Sequence, residues 1–196
     1  AHEFGHSMHS YYSRQNQPYQ YAGYSIFVAE VASTCNEELL FDYLMNTIED
    51  EQQKIYLLNH WLDGFRGTVF RQTMFAEFEH LIHEMDRNGE ALTADRLTEV
   101  YYDLNKTYFG DAMTVDEEIG LEWARIPHFY YNFYVYQYAT GQSAATALSK
   151  QILEEGQPAV DRYVNNFLKA GCSDFPIEVL RAAGVDMESS KPIEEA

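Results

Sequence analysis

The sequence predicts an all-α chain, and three observations carry that prediction. Apolar residues recur at helical spacing along most of the length, no stretch alternates as a half-buried strand would, and Gly and Pro punctuate the pattern at helix-length intervals. The first helix runs from the N-terminus to about Arg14, and a loop over 15–23 follows, marked by Pro18 and Gly23. A second helix spans about Ser25 to Ile48, with Phe27, Val28, Val31, Leu39, Leu40, Tyr43 and Leu44 as its apolar positions. A long helical region extends from about Glu51 to Arg87, broken near Gly64 or Gly67 and stopped at Asn88-Gly89. Thr93 reads as an N-cap, with Asp95 in the first turn of a helix to about Tyr108. Val115 to Ala124 makes a shorter helix that Pro127 ends or bends. From about His128 the chain is at its most aromatic and reads as a helix, kinked at Gly141, that continues to Glu155. Ala159 to Ala170 and Ile177 to Ala183 are the last helices, and the polar tail after Asp186 is expected to fray. With no repeat, linker or low-complexity block, residues 1–186 read as one helical unit and 187–196 as a tail.

Composition narrows the functional classes. The 196 residues suffice for one sizeable core. The formal charge of −18, from 31 acidic against 13 basic residues without any Lys/Arg cluster, argues against a nucleic-acid partner, because such binding draws on phosphate neutralisation. No apolar run is long enough to span a membrane. Cys35 and Cys172 have no partner pattern, so reduced thiols in a cytoplasmic protein are expected. The chain begins at Ala1, without an initiator Met and one residue before a candidate ligand, and is expected to be a C-terminal fragment, an isolated domain or a nicked piece of a longer chain.

The chemistry-bearing pattern is His2-Glu3-Phe4-Gly5-His6, a His-Glu-x-x-His. On a helix this spacing leaves the two imidazoles about 40° apart around the axis and about 6 Å apart along it, so both can point at one ion. Glu3, beside the first histidine, can reach a water on that ion. A catalytic zinc needs a third protein ligand, and Glu30 offers it: an acidic interruption among the apolar residues of Phe27–Ser33, costly there unless paired or metal-bound. The competing account is an exposed helix carboxylate. Gly5, a poor helix former, suggests that another backbone or a substrate passes close to it.

Other residues invite weaker readings. His9 shares the stripe of His2 and His6 and reads as packing or as support behind the ligands. Glu37, seven residues after Glu30, could orient a ligating imidazole or sit in solvent. His80 and His83, among Glu77, Glu79 and Glu84, have no third ligand on another element and read as an exposed helix face. His128, Tyr131, Tyr134 and Tyr138 fall on one helical stripe at spacings of 3, 3 and 4. As a set they are imidazole and phenol donors of the kind that stabilise an oxyanion. Core packing competes for each tyrosine taken singly, and Tyr130 and Tyr136 compete for the role.

The runs H-E-F-G-H-S-M-H at His2–His9, F-V-A-E-V-A-S at Phe27–Ser33, H-F-Y-Y-N-F-Y-V-Y-Q-Y-A-T-G at His128–Gly141 and F-P-I-E-V-L-R-A-A-G-V-D-M at Phe175–Met187 resemble one family. It is the zinc oligopeptidases that include thimet oligopeptidase, and within it the oligoendopeptidase F branch. The resemblance implies a zincin-like helical fold, one half of a deep cleft, acting on short peptides with one zinc per chain. It implies His2, His6 and Glu30 as zinc ligands, Glu3 as general base, and His128 with tyrosines such as Tyr131, Tyr134 and Tyr138 as donors to the reacting carbonyl. Implied partners are short peptide substrates and the missing N-terminal half of the same enzyme. Apolar surface left bare by that half could drive homo-oligomerisation. A second reading is a helical module that is inert alone. A different zinc peptidase, such as an aminopeptidase, is disfavoured by the extension of the motif through Gly5 and His9.

Overall fold

The computed structural model describes residues 1–194 and 196, and every described element is helical. Ten α-helices occur among them: α1 His2–Asn16, α2 Ile26–Ala29, α3 Val31–Thr47, α4 Glu51–Phe65, α5 Arg71–Arg87, α6 Ala94–Phe109, α7 Tyr136–Glu155, α8 Gln157–Arg162, α9 Pro176–Ala183 and α10 Lys191–Glu194. No described helix is long and apolar enough to cross a membrane.

Local chemistry explains most boundaries. Ser25 caps α2 by accepting from the Phe27 N–H, and Thr93 caps α6 by accepting from the Arg96 N–H. Gly89, at φ 79°, closes α5 with Glu90 N–H donating to the Met85 carbonyl. Two expected features differ. The single helix over Ser25–Ile48 is interrupted at Glu30, whose backbone caps α2 and opens α3. The break expected near Gly64 or Gly67 is a widened π turn over Arg66–Phe70, which lengthens the helical path without ending it.

The largest difference lies in the aromatic stretch. Instead of a helix from His128, a 3₁₀ turn over Pro127–Tyr130 leads to Asn132 and Phe133 at φ 52° and 58°, and α7 starts only at Tyr136. Asn tolerates the left-handed region, but for Phe it is strained, at about 1–3 kcal/mol. The helical stripe through His128, Tyr131, Tyr134 and Tyr138 therefore does not exist. The segment over 115–124 likewise winds as 3₁₀ turns over Glu117–Arg125, held against α6 and α5 through Glu122. Glu122 accepts from the Tyr101 hydroxyl at 2.7 Å and from Arg71 at 2.6 Å.

The expectation of one helical unit over residues 1–186 gives way to two compact units, Ala1–Phe65 with Thr140–Ala196, and Arg66–Ala139. Each has its own apolar cluster. The first unit's core joins Val28, Val31, Ala32 and Cys35 to Ala144, Leu148, Phe167, Leu180 and Val185. The second unit's core is Met74, Phe75, Phe78, Tyr101, Leu104, Ile126 and Val135. The tail expected to fray after Asp186 is ordered where described: Met187 packs on the first core, Pro192 is buried, and Ser190 donates to Glu194.

In the first unit, α1 lies against α3 because Gly5 has no side chain. A Cβ there would stand 2.4 Å from the Ser33 Cα and 2.5 Å from the Ala32 carbonyl oxygen. The backbone expected to pass close to Gly5 is thus α3 itself, and this contact sets the distance between the helix bearing His2 and His6 and the turn bearing Glu30.

Candidate metal centre and aromatic cluster

His2 and His6, one turn apart on α1, both turn toward the α2–α3 junction. Their Nε2 atoms are 3.2 Å apart, and each stands 3.3 Å from Oε2 of Glu30. These three form the group among the described residues whose donor atoms could hold a metal ion. The triangle, with edges of 3.2, 3.3 and 3.3 Å, can be tested against an ion. Donors about 2.0–2.1 Å from a tetrahedral zinc stand about 3.3–3.4 Å from one another. The spacing of the residues present therefore fits a tetrahedral divalent ion.

Neighbouring groups contact two of the three candidate ligands. Glu37 Oε2 lies 3.3 Å from His2 Nδ1, within reach of the ring, while much of its side chain stays in solvent. Ser33, fully buried, donates its hydroxyl to Glu30 Oε2 at 3.0 Å and lies 2.9 Å from the Glu30 carbonyl oxygen. Sequence reasoning missed Ser33; its position three residues after the carboxylate, at the start of α3, was the available signal. Glu3 is exposed on α1, outside the donor triangle. Its backbone carbonyl accepts from Ser7 at 2.8 Å.

His9 is no ligand. It is 1% exposed, stacked on Tyr24 with ring centroids 3.7 Å apart, and tilted against Phe167 at 4.8 Å. Burial, with a smaller contribution from His6, pushes its pKa down to about 4, so the ring packs as a neutral aromatic.

The aromatic residues of the second unit gather despite the lost helix. The His128 ring centroid is 5.6 Å from that of Tyr131 and 5.8 Å from that of Tyr134. Tyr134 is 5.6 Å from Tyr138, and the two hydroxyls are 3.5 Å apart. Tyr130 is exposed and makes none of these ring contacts. His80 and His83 bring no metal group together: His83 Nδ1 sits 2.6 Å from the Glu79 carbonyl oxygen, and its ring tilts against Phe133 at 4.6 Å. Glu79 itself is fully buried, which neither its spacing nor its neighbours announced.

The sequence profile of Peptidase family M3 matches residues 1–196. Oligopeptidase PepF of Bacillus subtilis is 72% identical over the whole chain, which spans 29% of that protein. The plasmid oligoendopeptidase F of Lactococcus lactis subsp. cremoris is 52% identical, again over the whole chain and 32% of its own length. Among solved structures, oligoendopeptidase-F from Enterococcus faecium superposes with a TM-score of 0.88 at 52% identity, over 99% of this chain and 35% of that one. A putative peptidase from Chlamydophila abortus gives 0.93 at 48% identity, over 100% and 33%. The chain thus spans about a third of the length of these relatives.

Proposed function

Because the chain belongs to peptidase family M3, we propose that it carries the zinc site of a metalloendopeptidase that hydrolyses short oligopeptides. The single observation that carries the reading is the donor triangle of His2, His6 and Glu30, sized for a tetrahedral ion. When bound, zinc lowers the pKa of a coordinated water to about 7 and polarises the scissile carbonyl. His2, His6 and Glu30 would hold the ion, with Ser33 orienting Glu30 and Glu37 orienting His2. Glu3 takes the proton from the attacking water and passes it to the departing nitrogen; its exposure leaves it free to swing between the two. His128, Tyr131, Tyr134 and Tyr138 are assigned to bond the peptide and its developing oxyanion. Their clustering supports treating them as a set, and the names of the relatives support oligopeptides as the substrate class.

Zinc content and turnover of a quenched fluorescent peptide test the reading, with Glu3→Gln as the diagnostic variant. It should keep one zinc per chain while turnover falls about 10²- to 10⁴-fold. Zinc-loaded Glu3→Gln that cleaves at the wild-type rate would sink the assigned mechanism. The second reading, an interaction module inert alone, is favoured by α4, none of whose residues is buried and which exposes Ile55, Tyr56, Leu58 and Leu62. That face suits the remaining part of the enzyme, or a second copy of this chain. A chain that neither binds zinc nor cleaves peptide would support it. A cytoplasmic location is part of the proposal, and Cys35 and Cys172, neither in a disulfide, are compatible with it.

A further inference from the structure

Glu79 lies on α5 at 0% exposure, on the helix that supplies Phe75 and Phe78 to the second unit's apolar core. A carboxylate in such surroundings needs a strong reason, because water no longer solvates it. No cation approaches its side chain among the described hydrogen bonds and ion pairs, and its Oε2 has no hydrogen-bond partner. Its other oxygen has one: the backbone N–H of Phe133 donates to Oε1. Phe133 and Asn132 are the described non-glycine residues with positive φ, and they are consecutive. Here the acceptor is a side chain of the same protein, 54 residues earlier in sequence.

The residues on either side of that turn are Tyr131 and Tyr134. Their rings meet edge to face at 6.1 Å, and both contact His128. Rotating Asn132 and Phe133 back to ordinary φ values would swing the two tyrosines apart. His83 reinforces the anchor, its ring against Phe133 and its Nδ1 at the Glu79 carbonyl oxygen. We infer that Glu79 is a positioning residue: its buried carboxylate holds the left-handed Asn132–Phe133 turn and so sets the arrangement of His128, Tyr131 and Tyr134. The functional value of that arrangement rests on the reading proposed above.

Three variants of the chain separate this role from general stability. Glu79→Gln keeps an oxygen acceptor at the same reach, Glu79→Asp keeps the charge but draws it back by one methylene, and Glu79→Leu removes the acceptor while filling the space. Two readouts are taken: NMR, following the Phe133 amide exchange and the Tyr131 and Tyr134 ring signals, and peptide turnover at saturating zinc. In Gln both should stay within about threefold of wild type. In Asp and Leu the Phe133 amide should exchange at least tenfold faster, both ring signals should shift, and kcat should fall about tenfold to a hundredfold with zinc affinity unchanged. If Leu loses its helical circular-dichroism signal, Asp decides. Wild-type Phe133 protection and ring signals in Asp and Leu would overturn the inference, as would a Gln variant as impaired as Leu. A wild-type chain that shows no turnover would count against the proposed function, and the NMR readouts would still decide the role of Glu79.

Discussion

Ser33 donates to the same oxygen of Glu30 that both histidines face, so it helps choose which carboxylate oxygen is turned toward His2 and His6. Removing such a support typically weakens metal binding by 10- to 100-fold. Ser33→Ala should therefore bind zinc about tenfold more weakly in competition with a chromogenic chelator, with the helical circular-dichroism signal unchanged. Affinity equal to wild type would show that the Ser33 bond serves only the turn. The grouping of His2, His6 and Glu30 was legible in sequence, because a four-residue spacing on a helix dictates where two imidazoles point, and a carboxylate among Phe27, Val28 and Val31 calls for a partner. Glu79 was not legible. It reads as one more acidic residue in an acidic helix until its burial and the distant Phe133 amide are seen.

Helix against helix, the decisive contact is α1 on α3 at Gly5. Gly5→Ala places a methyl group inside backbone contact distance of Ala32 and Ser33, which no rotamer can relieve. Overpacking of this kind costs about 1–3 kcal/mol. It should appear as a lower urea midpoint, and the widened donor triangle should cost zinc affinity as well; a variant with unchanged midpoint and unchanged affinity would contradict the close packing. Most helices could be read from apolar spacing and end signals such as Thr93 and Asn88-Gly89, because those signals are local. The stretch from Pro127 to Val135 could not. Its 3, 3, 4 spacing is real, yet the backbone obeys Glu79 and the core positions Ile126, Phe129 and Val135, and none of these is a neighbour in a helical pattern.

Across the molecule, the two units draw on separate cores, and the candidate ligands all belong to the first. Zinc at a thousandfold excess over its dissociation constant stabilises the state that binds it by about 4 kcal/mol. Hydrogen exchange with and without chelator checks where that stabilisation falls: metal removal should lower protection chiefly in α1 and α3, and much less in α5 and α6. Equal loss in all four helices would mean that the metal stabilises both units as one. The division into two units had no signature in composition, since no linker or change of charge marks residues 66 or 140.

The first unit is assembled from two stretches, with residues 66–139 between them. This bears on the order of events at the ribosome. Glu30 emerges 110 residues before Thr140, the first residue of the returning stretch. At 5–20 residues per second the wait is about 5 to 20 seconds. During that interval Val28, Val31 and Ala32 lack the Ala144, Leu148 and Phe167 that cover them. The three candidate ligands are thus synthesised well before the residues that cover the apolar side of the turn carrying Glu30.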